Sequence, residues 1–200
     1  MIRRSIGRFV LWSRRWSIEG DPPEDLSKYV LIAAPHTSNW DLLYLLAMSW
    51  TTGVRVSWLG KESLFPGPVG TVLRALGGIP VVRDQKSGLV SSLAREFAVA
   101  DRLVVAFPPE GTRSRTDHWR TGFYRVACAA DVPIVCSYLD YSRRVGGFGP
   151  VIEPIGDIAA DLPLFQSFYA DKRGKYLHPD VFGRSIEAAV DYQTLRGAHD

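Results

Sequence analysis

Short apolar runs alternate along the chain with longer stretches whose apolar residues recur at helical spacing. Tyr29 to Ala34 is continuously apolar and stops at Pro35, which predicts a buried strand. Trp40 to Ser49 is apolar, rich in helix formers and too long for an ordinary strand, so a helix is expected. Val54 to Leu59 alternates as a strand does, and Val69 to Leu76 has helical spacing. Ile79 to Val82 predicts a strand weakened by Pro80. Leu89, Leu93, Phe97 and Ala100 mark a helix over 89–100, and Leu103 to Phe107 a strand with a proline stop. Phe123 to Ala130 predicts a short helix, Val132 to Leu139 a strand, Val151 to Ile155 a further strand, and Ser185 to Leu195 a closing helix. Strands and helices that alternate with short connections predict a single-domain α/β fold, a mixed and largely parallel sheet flanked by helices. In such sheets the chemistry collects where strands end and loops lead into helices.

The first eighteen residues are patterned differently. On a helical wheel Arg3, Arg4, Arg8, Arg14 and Arg15 fall within one arc of about 140°. Ile2, Ile6, Phe9, Val10, Trp12 and Trp16 fall opposite, and only Leu11 is out of place. A basic face, an apolar face and two tryptophans suit a helix lying in a membrane interface, with indoles at headgroup depth and guanidinium groups on lipid phosphates. Residues 1–18 are therefore assigned to membrane contact through Arg3, Arg4, Phe9, Trp12 and Trp16, and 19–200 to the main domain. An amphipathic helix packed on the domain with its arginines in water is the ordinary alternative.

Composition narrows the field. The chain has 200 residues, 46% hydrophobic and 22% charged, as a globular domain does. The net charge of +3 is concentrated in the first eighteen residues, which hold five arginines and no acid, so general nucleic-acid binding is a poor explanation. Cys128 and Cys136 have neither metal nor redox spacing and fit reduced thiols in a cytoplasmic protein. No apolar run approaches the ~20 residues of a membrane span. There is no G-x-S-x-G, no P-loop, no G-x-G-x-x-G after a strand and no H-E-x-x-H, and the four histidines lack metal spacing. No metal or cofactor is expected.

Four polar clusters sit where predicted strands end. The first is Pro35-His36-Thr37-Ser38-Asn39-Trp40-Asp41. On a straight helix, positions five apart lie about 140° from each other, so His36 and Asp41 meet only across a turn, for which Ser38 or Asn39 as a helix cap would serve. Asp41 would then bond one ring nitrogen and leave the other as a base. Taken alone, the segment reads more readily as a loop histidine beside a carboxylate that complements the helix dipole. The second cluster, Phe107-Pro108-Pro109-Glu110-Gly111-Thr112-Arg113-Ser114-Arg115, can present amides, a hydroxyl and guanidinium groups to an anion, or be a surface turn with an internal ion pair. The third offers Lys61 and the fourth Arg83, each weak by itself.

In their order, these clusters resemble the lysophosphatidate (1-acyl-sn-glycerol-3-phosphate) acyltransferase family. H-x4-D matches at His36 and Asp41, E-G-T-R-S at Glu110 to Ser114, and the arginine of the second motif at Arg83. Gly122-Phe123-Tyr124 followed by Val132-Pro133-Ile134-Val135 looks like the last motif, so the resemblance spans about residues 28 to 140. Pro108, Pro80, Val82 and Cys136 depart from the usual residues, and the long hydrophobic N-terminal helices of many members are missing. The resemblance implies acyl transfer from acyl-CoA or acyl carrier protein to a hydroxyl of a lysophospholipid, with His36 as general base oriented by Asp41. It implies substrate binding by Lys61, Arg83, Glu110, Gly111, Thr112 and Arg113, with Lys61 and backbone amides as candidate oxyanion donors. With no span, an N-terminal apolar stretch too short for a secretory signal and a basic amphipathic helix, the protein is expected in the cytoplasm, peripheral on the inner face of the cell membrane, with membrane lipids as partners. Acyl-thioester hydrolysis and non-catalytic lipid binding are the rival readings.

Overall fold

A computed structural model describes residues 2–81, 86–112, 118–176 and 185–186. Its centre is a seven-stranded sheet. The strands are β1 (Ser17–Glu19), β2 (Lys28–Ala34), β3 (Val56–Lys61), β4 (Gly78–Val81), β5 (Leu103–Phe107), β7 (Ile134–Asp140) and β8 (Val145–Ile152), in the order β1-β8-β7-β2-β5-β3-β4. All neighbours run parallel except the β7–β8 hairpin. A separate short parallel pair joins β6 (His118–Trp119) to β9 (Ser185–Ile186).

Successive strand residues point to opposite faces, so the apolar run of β2 serves two layers. Val30, Ile32 and Ala34 pack on one face with residues of α4 (Lys86–Val99), α5 (Gly122–Ala130) and α6 (Ile158–Tyr169). Tyr29 and Leu31 pack on the other, beneath α2 (Trp40–Thr52) and α3 (Gly67–Ala75). On the first face the Tyr124 hydroxyl donates to Asp161 Oδ2 at 2.6 Å and so ties α5 to α6.

The N-terminal helix α1 spans Ile2–Ser13 and lies along α2. Its buried positions are Gly7 and Leu11. A Cβ on Gly7 would stand 2.5 Å from the carbonyl oxygen of Ala47, so glycine is what allows the two backbones to approach. Leu11 packs with Tyr44, Ala47 and Met48. The residue that spoils the wheel is thus one that holds the helix to the domain. The regular apolar face looks outward, with Phe9 63% and Trp12 74% exposed beside Ile2 and Ile6.

Several expectations need correction. The helix ends at Ser13, and residues 17–19 belong to the sheet. Trp16, assigned to membrane contact, is only 7% exposed, because the chain turns inward after Arg15 and stacks the indole on Tyr44. The strand expected at 151–155 begins earlier, at Val145, and α6 was not anticipated because Pro163 lies inside it. Ser185 and Ile186 pair as a strand, and the remainder of the closing helix expected at 185–195 lies outside the described residues. No helix among the described residues is long and apolar enough to cross a membrane.

Candidate active site

Parallel strands place their C-terminal ends on one edge, and β2, β5, β3 and β7 each deliver a polar group there. β2 runs into Pro35 and His36 before α2 starts at Trp40. His36 therefore precedes the helix, and the 140° separation of a straight helix does not apply. Asp41, in the first turn of α2, folds its carboxylate back over the loop. Its Oδ2 accepts the backbone N–H groups of Thr37 and Ser38, both at 2.9 Å, and lies 3.1 Å from His36 Nδ1. The turn is closed by Asp41 itself: Asn39 occupies the N-cap position without a side-chain cap bond, and Ser38 Oγ accepts the Trp40 N–H at 3.2 Å.

The two partners differ in burial. The Asp41 side chain is 7% exposed and the His36 ring 27%, so the carboxylate is sheltered while the ring can meet a ligand. With Nδ1 directed at Asp41, Nε2 is the ring's other basic position.

β5 leads through two prolines to Glu110, whose Oε1 accepts the His36 backbone N–H at 3.1 Å. Glu110 is buried, and its Oε2 has no hydrogen-bond partner among the described residues. Burial pushes its pKa up from the usual carboxylate range to about 7. Its role in the structure is to hold the loop that carries His36. Gly111 next to it has φ +62°, and a Cβ there would meet the Arg120 side chain at 2.5 Å. The positive φ calls for glycine, whereas the exposed Arg120 side chain could swing away from a Cβ. Lys61 ends β3 and is exposed.

A cavity of about 570 Å³ lies between α2 and the sheet. His36, Asp41, Lys61, Gly111 and Thr112 line its strand-end side. Leu31, Leu42, Leu45, Val56, Trp58 and Ala106 line it further back, so a polar mouth opens on an apolar interior. Of the residues the sequence nominated, the structure gathers His36, Asp41, Lys61, Glu110, Gly111 and Thr112. Arg83 and Arg113 lie outside the described residues. One neighbour of the pair belongs to none of the sequence motifs. Tyr141 follows the last residue of β7, and its hydroxyl donates to Asp41 Oδ1 at 2.5 Å. The rule that chemistry gathers after strand ends was the signal that could have found it.

Comparison with known proteins agrees with this architecture. A family model described as Acyltransferase matches residues 18–139. A crystal structure of the 1-acyl-sn-glycerophosphate (LPA) acyltransferase PlsC from Thermotoga maritima superposes with a TM-score of 0.53 at 16% identity, over 76% of this chain and 67% of that one. At that identity the likeness is one of fold. No curated protein matches the chain at a significant level.

Proposed function

The chain belongs to the acyltransferase family, and from that premise we propose that it transfers a fatty acyl group from acyl-CoA or acyl carrier protein to a hydroxyl of a lysophospholipid such as 1-acylglycerol 3-phosphate. One observation carries the reading: His36 and Asp41 stand 3.1 Å apart at the polar mouth of an apolar cavity.

An acceptor hydroxyl is a poor nucleophile near neutral pH, so it must lose its proton as it attacks the thioester carbonyl. His36 Nε2 takes that proton. The imidazolium so formed keeps its Nδ1–H on Asp41 Oδ2, whose negative charge stabilises it. The tetrahedral oxyanion then collapses, the C–S bond breaks, and the leaving thiolate recovers the proton from Nε2. The ester forms directly, with no acyl-enzyme. Lys61 and backbone amides of the Gly111 turn are the candidate donors to the oxyanion. The apolar interior takes an acyl chain, and Arg83 and Arg113 serve the acceptor phosphate, since a guanidinium binds two phosphate oxygens at once.

The outward face of α1 supports work at a lipid surface. Phe9 and Trp12 are exposed beside five arginines in the first eighteen residues, a pairing suited to an anionic membrane. We assign the protein to the inner face of the cell membrane as a peripheral enzyme.

The test uses purified protein, labelled palmitoyl-CoA and lysophosphatidate in liposomes. Labelled phosphatidate is the expected product, and His36→Ala is expected to lower its rate by ~10²- to 10⁴-fold while liposome binding survives. Label released as free fatty acid would mark a thioesterase instead. An unchanged rate in His36→Ala would overturn the general-base assignment.

A further inference from the structure

The mechanism above asks Asp41 to hold the ring of His36 in one orientation. Its Oδ2 is fixed by two backbone N–H groups and by His36. Its Oδ1 faces a different element, the turn after β7, where the Tyr141 hydroxyl donates to it at 2.5 Å. We propose that Tyr141 is a positioning residue for the acyl-transfer reaction, the third member of a His36–Asp41–Tyr141 relay in which its hydroxyl locks the plane of the Asp41 carboxylate and moderates its charge. This rests on the general-base reading of His36.

Three observations support it. The torsion that turns a carboxylate about its last bond is soft and broad, so bonds to one oxygen alone leave the plane loosely held. The phenol, arriving from 100 residues away in sequence, bonds the other oxygen and closes that freedom. Tyr141 is itself held firmly: its backbone N–H donates to the Arg173 carbonyl at 2.8 Å, and its ring meets Trp16 edge-on at 5.0 Å and Tyr44 at 5.8 Å. Finally, burial and the adjacent carboxylate push the phenol pKa far above its ordinary value, so the hydroxyl keeps its proton throughout and acts only as a donor.

The consequence has a sign. A hydrogen bond from the phenol spreads the negative charge of Asp41 and weakens its pull on the His36 imidazolium. Removing the hydroxyl concentrates that charge, holds the proton on His36 more tightly, and makes the ring a base only at higher pH. Glu110, the other titratable group against His36, is the same in wild type and variant, so the difference between them reports Asp41.

The decisive variant is Tyr141→Phe, beside Tyr44→Phe as a control that removes a hydroxyl from the same aromatic cluster without touching Asp41. In Tyr141→Phe the acidic limb of the kcat/KM profile is expected to move up by about half a pH unit, with kcat down about tenfold, substrate KM values within about twofold and Tm little changed. Tyr44→Phe is expected to leave profile and rate as in the wild type. In parallel, the titration of the His36 ring is followed by nitrogen-edited NMR without substrate, assigned by its loss in His36→Ala. The midpoint is expected to rise by the same half unit in Tyr141→Phe. This readout stands whatever substrate the enzyme uses, so a wrong acceptor is told apart from a wrong role for Tyr141. An unmoved midpoint together with an unmoved acidic limb would overturn the proposal. So would a loss of activity that follows a fall in Tm alone, because that is the mark of a packing role.

Discussion

Two helices of nearly equal length lie side by side and are built on opposite plans. α2 is apolar on most of its surface, is buried between α1 and the sheet, and opens on Asp41. α1 is strongly two-faced, yet it turns its apolar face away from the protein and touches α2 through Gly7 and Leu11. A helix that the domain needs for its core hides its apolar residues. One that needs only a foothold can use a narrow strip of small and aliphatic residues and keep the rest for another surface. The two tryptophans near the end of α1 state the difference in single residues. Trp12 is 74% exposed, while Trp16 is buried against Tyr44, 4.2 Å between ring centroids.

Of the two tryptophans, Trp16 carries the larger share of stability. Truncating a buried aromatic removes its transfer energy and leaves a cavity, a cost of about 3–5 kcal/mol. Trp16→Ala is therefore expected to lower urea-unfolding stability by that amount. Because the ring walls Tyr141, activity should fall along with it. Partition onto vesicles, measured below the unfolding range, should stay near the wild-type value. A Trp16→Ala protein that is fully stable but fails to bind vesicles would return this residue to the membrane face.

A somewhat smaller effect separates the two helices by pH. The loop that leads into α2 is held by Glu110, whose pKa is raised by burial to about 7. The α1–α2 contact around Gly7 and Leu11 is made by Tyr44, Ala47 and Met48 instead. A carboxyl raised in the folded state binds more protons there than in the unfolded chain between its ordinary value and about 7. Its contribution therefore favours folding below that window and is lost as pH rises through it. The swing is on the order of 3 kcal/mol. Glu110→Gln keeps an oxygen for the His36 N–H but cannot ionise. It should unfold with nearly equal difficulty at pH 5 and pH 8 as far as this group is concerned, and the difference between variant and wild type should grow with pH. Parallel pH dependence in the two proteins would remove Glu110 as the source.

The same contrast explains what could be read in advance. Alternation and punctuation suffice for β2, β3, β5 and β7, because buried parallel strands are short apolar runs and prolines or glycines stop them. They fail for β1, which has three residues, and for α6, where Pro163 interrupts a helical pattern. The His36–Asp41 pair was visible as a spacing and a motif. How it closes was not, since that depends on backbone N–H groups rather than on a capping side chain from Ser38 or Asn39. Tyr141 stands just past a strand end, where chemistry collects, but its link to Asp41 is not legible, because the two are 100 residues apart and no local pattern joins them. For α1, periodicity separates two faces without saying which one meets the protein. Leu11, the misfit on the wheel, was the clue, because a lone apolar residue on the wrong side needs something to cover it.

The smallest expected effect tests the outward face itself. Trp12 touches Phe9, with ring centroids 6.0 Å apart, and both are exposed. Partial burial of an indole in the interface is worth roughly 1–2 kcal/mol, so Trp12→Ala should weaken partition onto vesicles of mixed neutral and anionic phospholipid about tenfold. Unfolding stability should not change, because the ring covers nothing in the core. Arg4→Ala should cost less, about fivefold, and only where the vesicles are anionic and the salt is low, since a guanidinium near such a surface contributes about 1 kcal/mol and is screened. The pattern across the three variants is what discriminates. Trp16→Ala loses stability and keeps binding, Trp12→Ala keeps stability and loses binding, and Arg4→Ala loses only the salt-sensitive part. If Trp12→Ala binds vesicles as the wild type does, the exposed face of α1 is not the surface that meets lipid, and the foothold made by Gly7 and Leu11 serves some other docking.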